Sequence, residues 1–304
     1  MTSKAILITG ASGLVGYPLS KCLAARGDQV VGLDPAPAPE SLENVTHIQE
    51  GFSGYSAMLD LLQKYDIGKV VHAGGISGPM LAGDAPHTIT ETNLRSTMDI
   101  AEAAYRTGIA RMVYCSSGSA YGVTPDSPVR EDTAFRPTSL YGATKAASDL
   151  ILMAYREDYG LDAVGLRYST VYGPRRTTDC AIRTMIEDAL EGRPTRLAQG
   201  AGKRWPYVYV YDVVAATVAA LDAPLTRQYA YNVAGPDYPS MEKVAELVWS
   251  EFRAADIEIR GNFDDPIRER FDMSAAKRDL GWVPEWTIDA GLAAYIAWFR
   301  ETRA

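Results

Sequence analysis

The residues Lys4 to Thr9 read Lys-Ala-Ile-Leu-Ile-Thr, and Gly10-Ala11-Ser12-Gly13-Leu14-Val15-Gly16 follows at once. A short apolar run with no polar alternation is the pattern of a strand buried on both faces of a parallel sheet. A helix is expected from about Leu14 to Arg26, closed by Gly27. A glycine-rich turn between a strand and a helix brings backbone N–H groups and the helix N-terminus up to a pyrophosphate. A glycine triplet alone is a weak signal; this one has the strand before it and the helix after it that give it meaning.

The next expected strand, Gln29 to Leu33, ends in Asp34. An acid about 20 residues after the glycines accepts from an adenine-ribose 2′-hydroxyl and repels a 2′-phosphate. That favours NAD over NADP; the plainer alternative is a turn cap before Pro35. Further strands are expected at Val45 to Gln49, Lys69 to His72, Arg111 to Cys115 and Asp162 to Arg167. Helices are expected at Ala57 to Lys64, at Thr88 to Thr107, and from Tyr141 to about Tyr159. Strand and helix alternate, so the economical fold is α/β, a Rossmann-type doubly wound parallel sheet.

After Tyr172-Gly173-Pro174 the pattern loosens. Helices at Ala181 to Glu191, Val213 to Leu221 and Met241 to Phe252, with a strand-like Tyr207 to Tyr211, are expected to form a smaller C-terminal lobe over the strands' carboxyl ends. The division is an NAD-binding domain over 1–172 and a substrate-binding lobe over 173–304, interleaved with the first.

Tyr141 and Lys145 stand four residues apart on an expected helix, hence on one face. A phenol is a poor base at neutral pH, with an ordinary pKa of about 10, and a neighbouring ammonium lowers it. The spacing can therefore make a general base for a substrate hydroxyl. Such pairs are also common on helices with no chemical task.

The formal net charge of -8 over 304 residues argues against a general nucleic-acid surface. Cys22, Cys115 and Cys180 form neither a metal-type cluster nor an even-numbered disulfide framework. No metal site is expected, no apolar run is long enough for a membrane span, and no signal peptide is read, so a cytoplasmic protein is expected.

Taken together, Gly10 to Gly16, Asp34, Asn93, Ser116-Ser117, Tyr141 with Lys145, Arg167-Tyr168, Val171-Tyr172-Gly173-Pro174, Tyr207 to Asp212 and Leu280-Gly281-Trp282-Val283-Pro284 carry a family resemblance. The sequence resembles the extended short-chain dehydrogenase/reductases, the NAD-dependent epimerase/dehydratase family, over essentially its whole length. The resemblance implies that Tyr141 is the acid/base, that Lys145 holds the nicotinamide ribose, and that Ser117 bonds the substrate oxygen. It implies an NAD site drawing on Gly10, Ser12, Gly13, Leu14, Val15, Gly16, Asp34, Ala73, Gly74, Gly75, Asn93, Tyr141, Lys145 and Tyr168. Asn93 alternatively only orients the neighbouring loop. It implies substrate contacts from Ser77, Ser117, Ser119, Thr170, Arg176, Arg204, Trp205 and Arg268, and a homodimer built on the helices near Thr88 and Tyr141, with Met98, Ala101, Ala104, Ala147, Leu150 and Met153 either as its apolar surface or facing the sheet.

The departures narrow the activity. Ser117-Gly118-Ser119 stands where 4,6-dehydratases of the family usually have Thr-Asp-Glu, so that elimination chemistry is not expected. Thr170 stands where sugar-nucleotide epimerases usually have Asn, and Trp205 where they have a diphosphate-clamping Arg, with Arg204 one residue out of register. Gly51-Phe52 replaces a Gly-Asp near the adenine. The leading expectation is an NAD-dependent dehydrogenase acting on a hydroxyl of an unactivated sugar, sugar acid or polyol, an anionic substrate being favoured by the arginines. The alternative is a nucleotide-sugar (UDP-sugar) 4-epimerase with tightly held NAD. A non-catalytic NAD-sensing regulator is the third.

Overall fold

A computed structural model describes residues 4–78, 81, 83–124, 128–198, 200–261 and 270–303. The first half of the chain lays down β1 (Ala5–Thr9), α1 (Gly16–Ala25), β2 (Val30–Leu33), β3 (Val45–Ile48), α2 (Tyr55–Lys64) and β4 (Ile67–His72). It continues through α3 (Pro86–Thr90), a π-helical turn (Glu91–Arg95), α4 (Ser96–Thr107), β5 (Arg111–Ser117), α5 (Leu140–Tyr159) and β6 (Ala163–Tyr168). The second half contains β7 (Thr170–Tyr172), α6 (Ala181–Glu191), β8 (Thr195–Leu197), β9 (Tyr207–Tyr209), α7 (Val210–Asp222) and β10 (Ala230–Val233). It ends with α8 (Met241–Glu251), β11 (Ile257–Ile259), α9 (Ser274–Leu280) and α10 (Ile288–Arg303).

Seven parallel strands form the central sheet in the order β10-β6-β5-β4-β1-β2-β3. All six residues of β6 are buried, as in a strand covered by helices on both faces. The chain starts at β1, runs outward to β3, then returns to pair β4 on the other side of β1. That reversal is a topological switch point, where a crevice opens at the strands' carboxyl ends. The register fixes its floor: Thr9 pairs with Leu33 on one side and His72 on the other, and His72 pairs with Tyr114.

The expected helix over Thr88 to Thr107 is one rod with a defect: α3, a π turn and α4 run on without a break. A π turn inserts an extra residue into the helical repeat, so the spacing rule fails through it. The sequence reading missed the short strands β7, β8, β10 and β11 and the helices α9 and α10, of which β10 and α10 matter most. β10 is only Ala-Tyr-Asn-Val, yet it closes the sheet's edge against β6. α10 buries Leu292, Tyr295, Ile296 and Phe299, an i, i+3, i+4, i+7 stripe. It packs the C-terminal lobe, where Tyr172, Ile182, Met185, Tyr209 and Val244 share one apolar cluster with it. The Asp212 carboxylate on α7 accepts from the N–H groups of Glu285 and Trp286, which ties this last segment to the sheet-covering helix.

Candidate active site

One cavity of about 1280 Å³ runs along the carboxyl ends of β1, β4, β5 and β6 and under the C-terminal lobe. The turn after β1 lines its middle through Gly10, Gly13, Leu14, Val15 and Gly16. Gly10 has a φ of 70°, and a Cβ there would lie 2.7 Å from the Gly74 backbone. A Cβ on Gly16 would lie 2.0 Å from the Gly10 carbonyl oxygen. Only glycine allows this close approach of two loops. No side chain caps α1 at Val15, and the positive end of the helix points into the glycine turn, which suits an anion there. The residues therefore fit a dinucleotide pyrophosphate.

Asp34 lies at the cavity's far end, largely buried. Its carboxylate accepts from Ser12 N at 3.0 Å and from Ala36 N at 2.8 Å. Each oxygen retains a lone pair that a ribose hydroxyl can use. Ser12 itself is absorbed by this turn: its hydroxyl donates to the Pro37 carbonyl at 2.9 Å, and Ser12 is not on the cavity wall. Phe52 joins that wall beside Glu50, Gly51 and Pro35, so an aromatic ring faces the end expected to hold adenine.

Ala73, Gly74 and Gly75 form the opposite rim. Asn93, 2 % exposed, lies behind that rim: its side chain accepts from Ile76 N at 2.8 Å and donates to Ile76 O at 3.0 Å. It orients the loop, the alternative the sequence left open. Tyr168 lines the cavity, but its hydroxyl faces inward to Thr217 at 2.8 Å and to the Cys115 sulfur at 3.4 Å.

At the centre, α5 delivers Tyr141 and Lys145 to the same wall. Ser139 caps that helix by accepting from Gly142 N at 3.1 Å, which fixes where the helix begins and so where Tyr141 stands. Lys145 Nζ donates to the Cys115 carbonyl at 2.8 Å, lies 4.6 Å from the Tyr114 ring centre and 6.0 Å from that of Tyr141. Burial works against its charge, but Tyr114 and Tyr141 more than offset that and hold the ammonium above the ordinary lysine range. The result is a buried positive charge on the cavity wall. Ser117 ends β5; its oxygen accepts from Ser119 N at 3.1 Å, which leaves its hydroxyl proton for the cavity.

The substrate end is lined by Ser77, Ser119, Thr170, Arg176 and Trp205, with Ser169, Thr177, Thr178 and Tyr207. The buried hydroxyls of Ser116, Ser169 and Thr170 have no partner within the described chain. The arginines do not behave as expected. Arg176 spends its guanidinium on the backbone carbonyls of Val171, Thr178 and Asp179. Arg204 is off the cavity wall and donates to Tyr238 O at 3.0 Å. The two sit apart because adjacent residues of an extended segment point to opposite sides, so Trp205 on the wall turns Arg204 outward. Arg175 stacks on the Tyr17 ring at 4.6 Å. Arg268 lies outside the described residues.

The strand ends supply what sequence reasoning missed: Thr9, His72 and the Cys115 carbonyl. Thr9 and His72 each close an apolar strand with a polar side chain, a signal that points to the carboxyl-end crevice only once the strand order is known.

Comparison with known proteins accords with this geometry. Residues 6–234 match the NAD dependent epimerase/dehydratase family. The chain is 31% identical over 313 residues to the UDP-glucose 4-epimerase of Mycolicibacterium smegmatis, covering 97% of this chain and 98% of that protein. It is 26% identical over 321 residues to the UDP-glucuronate 4-epimerase of Thermodesulfobacterium geofontis, covering 97% and 96%. Among solved structures, the UDP-glucuronic acid 4-epimerase of Bacillus cereus, in complex with UDP-glucuronic acid and NAD, superposes with a TM-score of 0.86 at 26% identity over 98% of this chain and 99% of that one. The fold, the two glycine loops and the Ser-Tyr-Lys site thus stand in a chain that belongs to the NAD dependent epimerase/dehydratase family.

Proposed function

We propose that this protein uses NAD to oxidise a secondary or anomeric hydroxyl of an unactivated sugar or polyol. The observation that carries the chemistry is the placement of Ser117, Tyr141 and Lys145 around one cavity whose glycine loops fit a dinucleotide. Ser117 donates to the substrate oxygen. Tyr141 takes the hydroxyl proton. Lys145 supplies fixed positive charge beside that proton acceptor, and the Cys115 carbonyl holds it there. When bound, NAD accepts the hydride, so a carbinol leaves as a carbonyl with one proton released.

The substrate class rests on the far wall. Ser77, Ser119, Thr177 and Thr178 line that end with polar side chains, which suits a polyol. Trp205 presents a ring where a diphosphate clamp would need a guanidinium, and Arg204 and Arg176 are turned away or engaged. This withdraws the arginine argument for an anionic substrate. A nucleotide-sugar 4-epimerase is the second reading, favoured by end-to-end similarity to the UDP-glucose 4-epimerase. It would use the same three residues and return the hydride to the opposite face.

The test is NADH absorbance from purified protein and NAD, with free sugars and polyols in one panel and nucleotide sugars in another. Steady NADH with the first supports the dehydrogenase. No NADH, with interconversion of nucleotide sugars, replaces it with the epimerase.

We further propose a cytoplasmic homodimer. Among the described residues no helix is long and apolar enough to cross a membrane, and all three cysteines are unpaired. Met98 and Tyr105 on α4 and Leu150, Met153 and Tyr159 on α5 are exposed, and Tyr105 and Tyr159 touch at 5.5 Å, so the apolar surface spans both helices. Ala101 and Ala104 face the sheet instead. Light scattering should give twice the chain mass, falling to one chain mass for Leu150→Glu with Met153→Glu.

A further inference from the structure

His72 is 2 % exposed, ends β4, and forms part of the cavity wall without a role in the chemistry above. Both ring nitrogens are engaged. Nδ1 lies 2.7 Å from Thr9 Oγ1; Nε2 lies 3.1 Å from Thr97 Oγ1 and 3.5 Å from Ser96 Oγ. The neighbours settle which nitrogen carries the proton. Thr97 donates its hydroxyl proton to the Asn93 carbonyl at 2.7 Å, and Ser96 donates its own to the Thr92 carbonyl at 2.5 Å. Neither can donate again, so Nε2 must be the N–H. On the other side Thr9 Oγ1 accepts from Gly74 N at 3.1 Å and gives its proton to Nδ1. The ring is neutral, in one tautomer, with every partner's donor and acceptor accounted for. Its pKa, pushed down by burial to about 3, agrees.

This arrangement continues in both directions. Through Thr9 and Gly74 it reaches the place where the two glycine loops touch. Through Thr97 it reaches the π turn carrying Asn93, whose side chain clamps Ile76 and donates to Thr144 Oγ1 at 3.4 Å. Thr144 in turn donates to the Tyr141 carbonyl at 2.8 Å. A Cβ on Gly75 would fall 2.8 Å from Asn93 Oδ1, so the loop has no slack against this framework.

We infer that His72 is the positioning residue of the cofactor site, a neutral two-sided spacer that sets the Gly10 turn and the Ala73–Gly75 loop at the separation a dinucleotide requires. It does not touch the reacting atoms. The inference rests on the reading of the cavity as an NAD site. A protonated ring could not serve, because Nδ1–H would face the proton that Thr9 donates. An apolar residue could not serve either, because the buried Thr9 and Thr97 hydroxyls would each lose a partner.

The experiment measures the Kd for NAD by titration calorimetry, with melting temperature as the check on folding, in wild type and in Thr9→Val, Thr97→Val and the double variant. Thr9 and Thr97 flank the ring from opposite sides, so a double-mutant cycle asks whether they act as one unit. Each single change should raise the Kd about three- to tenfold, the size of one neutral hydrogen bond. The double should be little worse than the weaker single, because the ring is already released. His72→Leu should match the double, and His72→Asn, which restores an acceptor towards Thr9, should recover part of the loss. Single effects that multiply, or Kd values equal to wild type in folded variants, would overturn the inference. A wild type that binds no NAD would overturn the cofactor reading and the inference with it.

Discussion

The Lys145 ammonium lies 6.0 Å from the centre of the Tyr141 ring, four residues earlier on α5, and the Cys115 carbonyl holds it there at 2.8 Å. The bond to a strand carbonyl means the helix and the sheet jointly set the distance between the Tyr141 ring and the ammonium. Tyr141→Phe removes the proton acceptor and keeps the ring. It should lower kcat about 10²- to 10⁴-fold, the usual worth of a general base, with NAD affinity little changed. Lys145→Met should lower both kcat and NAD affinity. A Tyr141→Phe enzyme with normal kcat would remove Tyr141 from the chemistry.

If the cavity holds NAD as proposed, Asp34 should discriminate between dinucleotides by charge. Its carboxylate sits 3.0 Å from Ser12 N, where a 2′-phosphate would have to lie against it. Asp34→Asn keeps the shape but removes the repulsion, at the cost of one of the two backbone N–H bonds that Asp34 accepts. The ratio of NADP to NAD dissociation constants should fall by about tenfold or more, since one such charge contact is worth about 1.4 kcal/mol. Fluorescence titration with both dinucleotides measures it.

Arg167 and Asp149 form an ion pair at 2.8 Å with side chains 2 % and 0 % exposed, and the Tyr229 and Tyr121 hydroxyls complete it. Removing one partner strands a charge where water cannot reach. Asp149→Ala should cost about 3–5 kcal/mol in urea unfolding, while Asp149→Leu with Arg167→Met should recover much of that loss.

Stability should fall in acid through His72. In the unfolded chain its pKa is about 6.5; in the fold burial holds it to about 3. Between these values the unfolded chain binds a proton that the native state does not. The contribution is therefore complete above about pH 6.5 and is lost as pH falls towards 3, at about 1.4 kcal/mol per pH unit. Other groups titrate in the same range, so the measurement is the difference between wild type and His72→Asn in urea midpoints from pH 7 to 4. The wild-type curve should fall more steeply.

The glycine turn, Asp34, Tyr141 and Lys145 were legible because each obeys a short-range rule. A turn needing positive φ needs glycine, an acid follows a strand at a set interval, and two residues at helical spacing share a face. Such rules act over a few residues, and they carried the fold class with them through the alternation of strand and helix. Asn93 marks the edge of this legibility: its motif was visible, but only its two bonds to Ile76 show that it orients a loop.

The rest depended on distance in space. No local pattern says that β4 returns beside β1, so nothing in the sequence brings His72 to Thr9, 63 residues away. The outward turn of Arg204 and the inward turn of Trp205 were likewise decided by how one extended segment lies against Tyr238 to Ser240. β10 joins the sheet because β6 offers a free edge, a partner its four residues could not announce. The amino-acid sequence by itself determined the fold class and marked the glycine turn and the Tyr141–Lys145 pair, because these are written in spacings of a few residues. The tertiary structure alone decided which side chains face the cavity and which nitrogen of His72 carries the proton, because burial and hydrogen-bond satisfaction depend on everything packed around a group at once.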